Sequence, residues 1–552
     1  MPERYYSEHK ETLKKASEVI ASREFWSPYP ESPRAYEEDA PALGEAAFED
    51  RLGRRFTIDQ AADSWSSGAE SSAYGRDLGV TYPVIGVNAL LAAAEVAAQE
   101  WGRVPIEHRT GVCLEILDRL AKNSFEMAHA VMQTTGQSFL MAFQAGGPHA
   151  LDRGLEAVTY AHDALTRVPK HMKWEKPQGT RDPLVLNKTW RLRPAGIAVT
   201  LGVSTFPTWN GYPGIFASLV TGNPVIVKPH PATILPLALF VETGRAVLAD
   251  VGFDPNTLQL AVDSPDAPIA KELVMDRRVK LVDFTGRSAF GDWLEQNATH
   301  AEVFTEKAAV NSVIIHSAAD LKGVFRNLSV SMTMYGGQMC TTPQNVYIPR
   351  TGIDVGGEHV AYSDVVAGFA GAIDGLLSDD DRAGDILGAI KDRSSLERIK
   401  AAAAGHHVIL ESREVKNARF PDAIVRTPVI VGVDSTDKDA YMREMFGPVI
   451  YIVGTDSIEQ SLALATESAL RHGAITWLVY STDPETQDAA EDAAVAAGVS
   501  VAFNLTGGLF VNQSAAFSDF HATGANPAGN SSLTDPAFVA KRFRVVGVRK
   551  PA

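Results

Sequence analysis

Apolar and polar positions change their rhythm along this chain. Residues 1 to about 80 mix charged, helix-like patches with a stretch rich in Pro and Ser, Trp26-Ser-Pro-Tyr-Pro-Glu-Ser-Pro-Arg34, which predicts an N-terminal extension wrapped over a larger body. From about 85 to 170 the spacing is helical, with Ala-rich segments such as Ala89-Leu-Leu-Ala-Ala-Ala-Glu-Val-Ala-Ala98. After about 190, short β-branched runs alternate with helical stretches. Gly196-Ile-Ala-Val-Thr-Leu-Gly202 precedes a helix near 212 to 220, and Pro224-Val-Ile-Val-Lys228 precedes one near 233 to 250. A strand near 257 to 262 and Val279-Lys-Leu-Val-Asp-Phe-Thr285 complete this region. A second such region holds Val346-Tyr-Ile348, Val408-Ile-Leu410, Val449-Ile-Tyr-Ile-Val453 and Ala474-Ile-Thr-Trp-Leu-Val-Tyr480. Strand and helix in alternation are the mark of parallel sheets with crossover helices, so two α/β lobes are expected. No fixed-period repeat or low-complexity tail interrupts them.

Composition narrows the function classes. A chain of 552 residues supports large cores in two or three domains. A net charge of -16 disfavours nucleic acid and anionic membrane as partners, while leaving room for a local basic pocket. The first twenty residues lack the apolar run of a secretory signal, and no segment reaches the roughly 18 to 20 apolar residues of a membrane span. Two cysteines in this length fit a reducing compartment, so the cytoplasm is the expected location.

Those cysteines differ in context. Cys113 shares a helical face with Ile116, Leu117 and Leu120 and reads as a core thiol. Cys340 lies in Tyr335-Gly-Gly-Gln-Met-Cys340-Thr-Thr-Pro-Gln344, a run of small and polar residues that leaves space for an electrophile at the sulfur.

Four stretches in order around that thiol resemble the aldehyde dehydrogenase superfamily. They are Thr221-Gly-Asn-Pro-Val-Ile-Val-Lys-Pro229, Phe284-Thr-Gly-Arg-Ser-Ala-Phe-Gly291, Glu306 placed 34 residues before Cys340, and Glu444-Met-Phe-Gly-Pro448. Further stretches are similar to the phenylacetate-degradation (PaaN-type) branch: Pro28-Tyr-Pro-Glu-Ser32, Gly79-Val-Thr-Tyr-Pro83, Ser204-Thr-Phe-Pro-Thr-Trp-Asn210, Lys228-Pro-His-Pro231 and Phe304-Thr-Glu-Lys-Ala308. The resemblance implies an aldehyde dehydrogenase-like α/β fold with a Rossmann-like cofactor lobe, a catalytic lobe and a bridging β-flap. In that plan, 1–80 is the extension and 81–306 the cofactor domain, interrupted by a flap at about 183–194. Residues 307–535 form the catalytic domain and 536–552 a C-terminal bridging strand. Some relatives carry a fused hydratase domain; that second activity is not expected here.

The resemblance also assigns roles. Cys340 is the nucleophile that converts an aldehyde to a thiohemiacetal and then a thioester, and Glu306 is the base for deacylation. The family's oxyanion-hole Asn is replaced by Thr205, a shorter donor. Lys228 corresponds to the lysine at the adenosine ribose. Pro231 stands where NAD-preferring members often carry Glu, so NADP is acceptable and slightly favoured over NAD. Gly286 and Gly291 fit close backbone approach to the cofactor. Arg287 is either a phosphate contact or a surface residue. Glu444 and Phe446 correspond to residues at the nicotinamide ribose and ring. Phe206 and Phe517 are expected to line the substrate tunnel, and His521 reads as structural rather than as an acid or base. No metal is expected.

The implied reaction is NAD(P)-dependent oxidation of an aldehyde to an acid, with a semialdehyde or CoA-linked aldehyde of phenylacetate breakdown as the expected substrate and a homodimer or homotetramer as the expected assembly. A CoA-acylating dehydrogenase and a cysteine acyltransferase or thioesterase without redox chemistry remain alternatives.

Overall fold

A computed structural model describes residues 3–307, 309–514, 516–518, 525–526 and 535–552. Its centre is a pair of sheets with inner strands that are buried along their whole length rather than on alternate positions. Ile197–Leu201, Val225–Lys228, Pro343–Pro349 and Thr476–Tyr480 are buried at every position, as strands covered by helices on both faces must be.

The first sheet has five parallel strands in the order Leu258–Leu260, Val225–Lys228, Ile197–Leu201, Val279–Thr285, Glu302–Glu306. The chain builds outward from Ile197–Leu201 on one side, then crosses back and builds outward on the other. The carboxyl ends of Ile197–Leu201 and Val279–Thr285 therefore flank a topological switch point, where such sheets bind ligands. Helix Pro207–Val220 makes the first crossover and starts five residues before the predicted stretch, because Pro207 sits at its first turn, where a missing N–H costs nothing.

The second sheet has seven strands, ordered His407–Leu410, Val429–Asp434, Val449–Thr455, Pro343–Pro349, Asn311–Ile315, Thr476–Tyr480, Ser500–Phe503. All pairs are parallel except the first. Cys340 lies just before the central strand Pro343–Pro349, at its amino end. The two α/β lobes thus take the arrangement expected from the alternation of runs.

A third, antiparallel sheet pairs His171–Gln178 with Arg181–Pro194 and that strand with Phe543–Pro551. Its residues are largely exposed, including Leu184, Val545, Val546 and Val548. At the other end of the chain, helix Glu3–Ser22 buries Tyr5, Leu13, Ala16 and Val19 in the same core as helix Ile106–Lys122, which contributes the fully buried Cys113. Among the described residues no helix is long and apolar enough to cross a membrane.

Candidate active site

The loop that presents Cys340 is held by its own backbone. Helix Leu321–Thr333 runs into a short turn, Met334–Gly337, where Tyr335, Gly336 and Gly337 all take positive φ. Tyr335 is fully buried, with its hydroxyl donating to the Thr135 carbonyl at 2.5 Å. Gly337 cannot be replaced cheaply: a Cβ there would lie 2.4 Å from the Gly447 carbonyl oxygen. The Gln338 amide donates to the Tyr335 and Ala389 carbonyls at 3.1 Å each and accepts the Lys391 N–H at 3.0 Å. Past the cysteine, the Asn311 side chain donates to the Cys340 carbonyl at 2.7 Å and to the Thr342 carbonyl at 3.1 Å.

Cys340 stands where two hollows meet. A cavity of about 300 Å³ on one side is lined by Met141, Phe206, Trp209, Met334, Met339 and Phe510, with Glu31, His149 and Arg153 among its polar wall. A cleft of about 800 Å³ on the other side is lined by the carboxyl ends of the first sheet, Leu201 to Phe206, Lys228, Thr285 to Arg287 and Glu306, and by Glu444 and Phe446 from the second lobe. Cys340 and Phe206 line both.

Glu306 ends its strand 7 % exposed, and the Asn210 carboxamide, one turn into helix Pro207–Val220, donates to its Oε1 at 3.0 Å. The Cys340 thiol hydrogen-bonds to the same carboxylate. Burial pushes the thiol well above its usual pKa and the Glu306 charge adds to this, so the resting sulfur is protonated, with its proton already directed at a base. Cys113, buried in its core, is far up-shifted for the same first reason, and the Arg109 charge opposes the shift.

The structure brings together most of the residues singled out from the sequence. Thr205 lines the cleft, and its carbonyl accepts the Gln137 amide at 2.8 Å. Lys228 pairs with Asp263 at 2.6 Å, both nearly buried. Burial lowers the Lys228 pKa, and Asp263 opposes that shift. Gly286 lines the cleft and donates its N–H to the Glu306 carbonyl at 3.0 Å. Burial raises the Glu444 carboxyl to about 7, against the Ala309 N–H it accepts at 3.2 Å and the charges of Arg398 and Arg287. The Phe446 carbonyl accepts the Arg398 Nε–H at 2.7 Å, leaving its side chain in the cleft wall.

Other expectations change. Pro231 does not line the cleft; its neighbours His230 and Ala232 do, while its own carbonyl accepts the Ala69 N–H. Gly291 sits inside helix Ser288–Asn297 beneath the Lys307 side chain, which a Cβ would meet at 2.6 Å, and is not among the residues that line the cleft. Arg287, expected either at a cofactor phosphate or on the surface, is a highly exposed cation paired with Asp392 at 2.8 Å at the cleft edge. Phe517 is buried against Trp26, with its N–H donating to Glu156 Oε1 at 2.6 Å, and does not line the smaller cavity; Phe510 and Ser518 do. His521 lies outside the described residues.

Sequence reasoning missed Asp263, Arg153, Glu31 and the role of Asn210. Glu31 comes from the N-terminal extension and pairs with His149 at 2.9 Å in the wall of the smaller cavity. Its one signal was its place in the Pro28–Ser32 stretch.

Comparison with known proteins follows the same lines. The profile described as "Aldehyde dehydrogenase family" matches residues 85–524. The crystal structure of an NAD-dependent aldehyde dehydrogenase from Burkholderia multivorans superposes with a TM-score of 0.97 at 50% identity, covering 99% of each chain. A benzaldehyde dehydrogenase [NAD(+)] of Pseudomonas putida is 23% identical over 71% of this chain and 76% of its own. A glyceraldehyde-3-phosphate dehydrogenase from Methanocaldococcus jannaschii, complexed with NADP, shares the fold at a TM-score of 0.68 and 15% identity, over 89% of this chain and all of that one.

Proposed function

The chain belongs to the aldehyde dehydrogenase family, and from that premise we propose that it oxidises an aldehyde to a carboxylic acid on Cys340, using a nicotinamide dinucleotide bound in the larger cleft. The observation that carries this reading is the position of Cys340: the thiol borders both hollows and is hydrogen-bonded to Glu306.

The cleft suits a dinucleotide. It lies beyond the strand ends at the switch point, and its donors and acceptors are of the right kinds: the Lys228 ammonium for hydroxyls at one end, the Glu444 carboxyl for hydroxyls at the other, and Phe446 as an apolar wall. A bound nicotinamide supplies the acceptor for the two electrons and the hydrogen that the aldehyde carbon gives up. The chain's own residues do the rest. Glu306 takes the thiol proton as the Cys340 sulfur bonds to the carbonyl carbon, and the N–H of Cys340 with the Thr205 hydroxyl faces the charge that builds on oxygen. Glu306 passes that proton to solvent. Once the carbon has been oxidised to the thioester, Glu306, oriented by Asn210, removes a proton from water, and the C–S bond breaks with that proton returning to the Cys340 sulfur as the acid forms.

For the dinucleotide we propose NAD. Pro231 leaves the adenosine side without one carboxylate, which by itself predicts NADP. Asp263, arriving from the neighbouring strand, supplies a carboxylate to Lys228 instead, and its charge disfavours a 2′-phosphate there. The similarity to an NAD-dependent enzyme supports the same choice. For the aldehyde we propose a semialdehyde or CoA-linked aldehyde of aromatic catabolism, supported by the PaaN-type stretches and by a cavity walled with Phe206, Trp209 and Met side chains. For the assembly we propose a homo-oligomer joined through the exposed antiparallel sheet.

The test is turnover. Wild-type protein with NAD and a panel of aldehydes should generate reduced nicotinamide, and Cys340→Ala should lose that activity while still binding NAD. Glu306→Gln should release a burst of reduced cofactor followed by a steady rate lower by about 10²- to 10⁴-fold. Turnover surviving in Cys340→Ala removes the nucleophile assignment, and unchanged deacylation removes Glu306 from the scheme.

A further inference from the structure

One cation in the smaller cavity has no part in the scheme above. Arg153, on helix Pro148–Thr166, lines that cavity together with Cys340. Its guanidinium carbon sits 3.7 Å from the centre of a ring of Trp209, which holds the planar group against an aromatic face. Among the described residues it makes no hydrogen bond and no ion pair, and its Nη1 is buried without a partner. A guanidinium carries five N–H donors, and leaving a buried charged donor unmatched is unfavourable.

The carboxylates around it are engaged elsewhere. Glu31 pairs with His149, Glu156 accepts the Phe517 N–H, and Glu306 accepts from Asn210 and the thiol. Glu306 and Glu156 still act on Arg153 through their charge, opposing the downward pull of burial on its pKa. The rest of the wall mixes apolar side chains such as Met141, Phe206 and Met339 with polar ones such as Gln144, Asn512 and Ser514. The site therefore offers a cation held against an aromatic face, with a buried donor that lacks a partner, within the same hollow as the nucleophile.

We infer that Arg153 anchors a carboxylate carried at the far end of the aldehyde substrate, so that the preferred substrates are ω-semialdehydes of dicarboxylic acids. The inference deepens the proposed function and rests on the smaller cavity being the aldehyde side. A carboxylate presents two oxygens in the plane that a guanidinium recognises, and the pair replaces the donors' missing partners. Arg153 is a specificity residue here and takes no part in bond making.

The experiment compares the ω-semialdehydes of four- to eight-carbon dicarboxylic acids with unbranched aldehydes of the same carbon count, in wild type, Arg153→Met and Arg153→Lys. In wild type, kcat/KM should favour the acid by about 10- to 100-fold at one or more chain lengths. Arg153→Met should bring the ratio to about one, and Arg153→Lys should restore part of it. No acid preference at any length, or a preference that persists in Arg153→Met, overturns the inference. An equal loss on both substrates does so too, because it makes Arg153 an electrostatic support for Glu306 and Cys340. Calorimetric titration with the dicarboxylates themselves separates the two readings. If wild type oxidises no aldehyde yet binds a dicarboxylate in an Arg153-dependent way, the proposed reaction falls and the anion site stands. If it binds none, the anion site falls as well.

Discussion

Lys228 and Asp263 show what a motif conveys and what it omits. The strand Val225–Lys228 and its lysine were legible because a run of β-branched residues ending in Lys-Pro is a local pattern. Asp263 follows a different strand, 35 residues on, and nothing in the intervening sequence announces that its carboxylate will meet the ammonium. Asp263→Asn should therefore lower the preference for NAD over NADP at least several-fold, read as a ratio of kcat/KM values; an unchanged ratio places the determinant elsewhere. Glu444 titrates where cofactor binding is measured. Its carboxyl, raised to about 7 by burial, is mostly protonated at pH 6 and mostly ionised at pH 8. The ionised form is the stronger acceptor for ribose hydroxyls, so the Kd for NAD should fall by up to about tenfold between those pH values and flatten above them. In Glu444→Gln the same titration should show no such trend. Arg153 and Asn210 escaped sequence reasoning for the same reason as Asp263: their roles are set by what lies across a cavity.

Among the elements, periodicity served the strands buried on both faces and failed where polar residues open a strand. Asn311–Ile315 begins with Asn-Ser, which hides its apolar run, yet Asn311 clamps the Cys340 carbonyl from that very position. The turn Met334–Gly337 was legible only as small and glycine-rich. Its left-handed path, and the contact of Gly337 with the Gly447 carbonyl, belong to the tertiary fold. Gly337→Ala tests that contact. A left-handed φ costs an alanine about 1–2 kcal/mol before any clash, and the added carbon must also push the chain off Gly447. Since Cys340 follows three residues later, kcat should fall on the order of 100-fold with helix content by circular dichroism retained. NAD should also bind more weakly, because Gly447 adjoins Phe446. A variant with normal kcat would show that the turn does not position the thiol.

For the whole molecule, two lobes were evident from the alternation of runs, while the contribution of the N-terminal extension to the substrate side was not. Trp26 packs on Phe517 and Glu31 enters the cavity wall, so residues far from the catalytic loop in sequence shape access to it. The antiparallel sheet is the complementary case: its strands leave Val545, Val546 and Val548 exposed, Val546 at 48%. Exposed β-branched residues on a sheet that lies largely outside the cores fit a surface covered by another copy. Val546→Lys should lower the mass measured by light scattering to that of a smaller species, and a wild-type mass equal to one chain would remove the proposed assembly outright.

Arg542 bears on how the chain is made. It is completely buried, grips Asp283 through Nη1 at 2.9 Å and Nη2 at 2.5 Å, and lies against the rings of Phe304 and Phe538, while its carbonyl accepts the Asn223 amide. Translation delivers Asp283 to the emerging polypeptide 259 residues ahead of this partner. At elongation rates of about 5–20 residues per second, the first sheet leaves the ribosome and waits for tens of seconds with a carboxylate destined for its interior and no counter-charge. That lobe can be finished only after the second has been synthesised. A chain that stops short of Arg542 leaves Asp283 of the first lobe without this counter-charge.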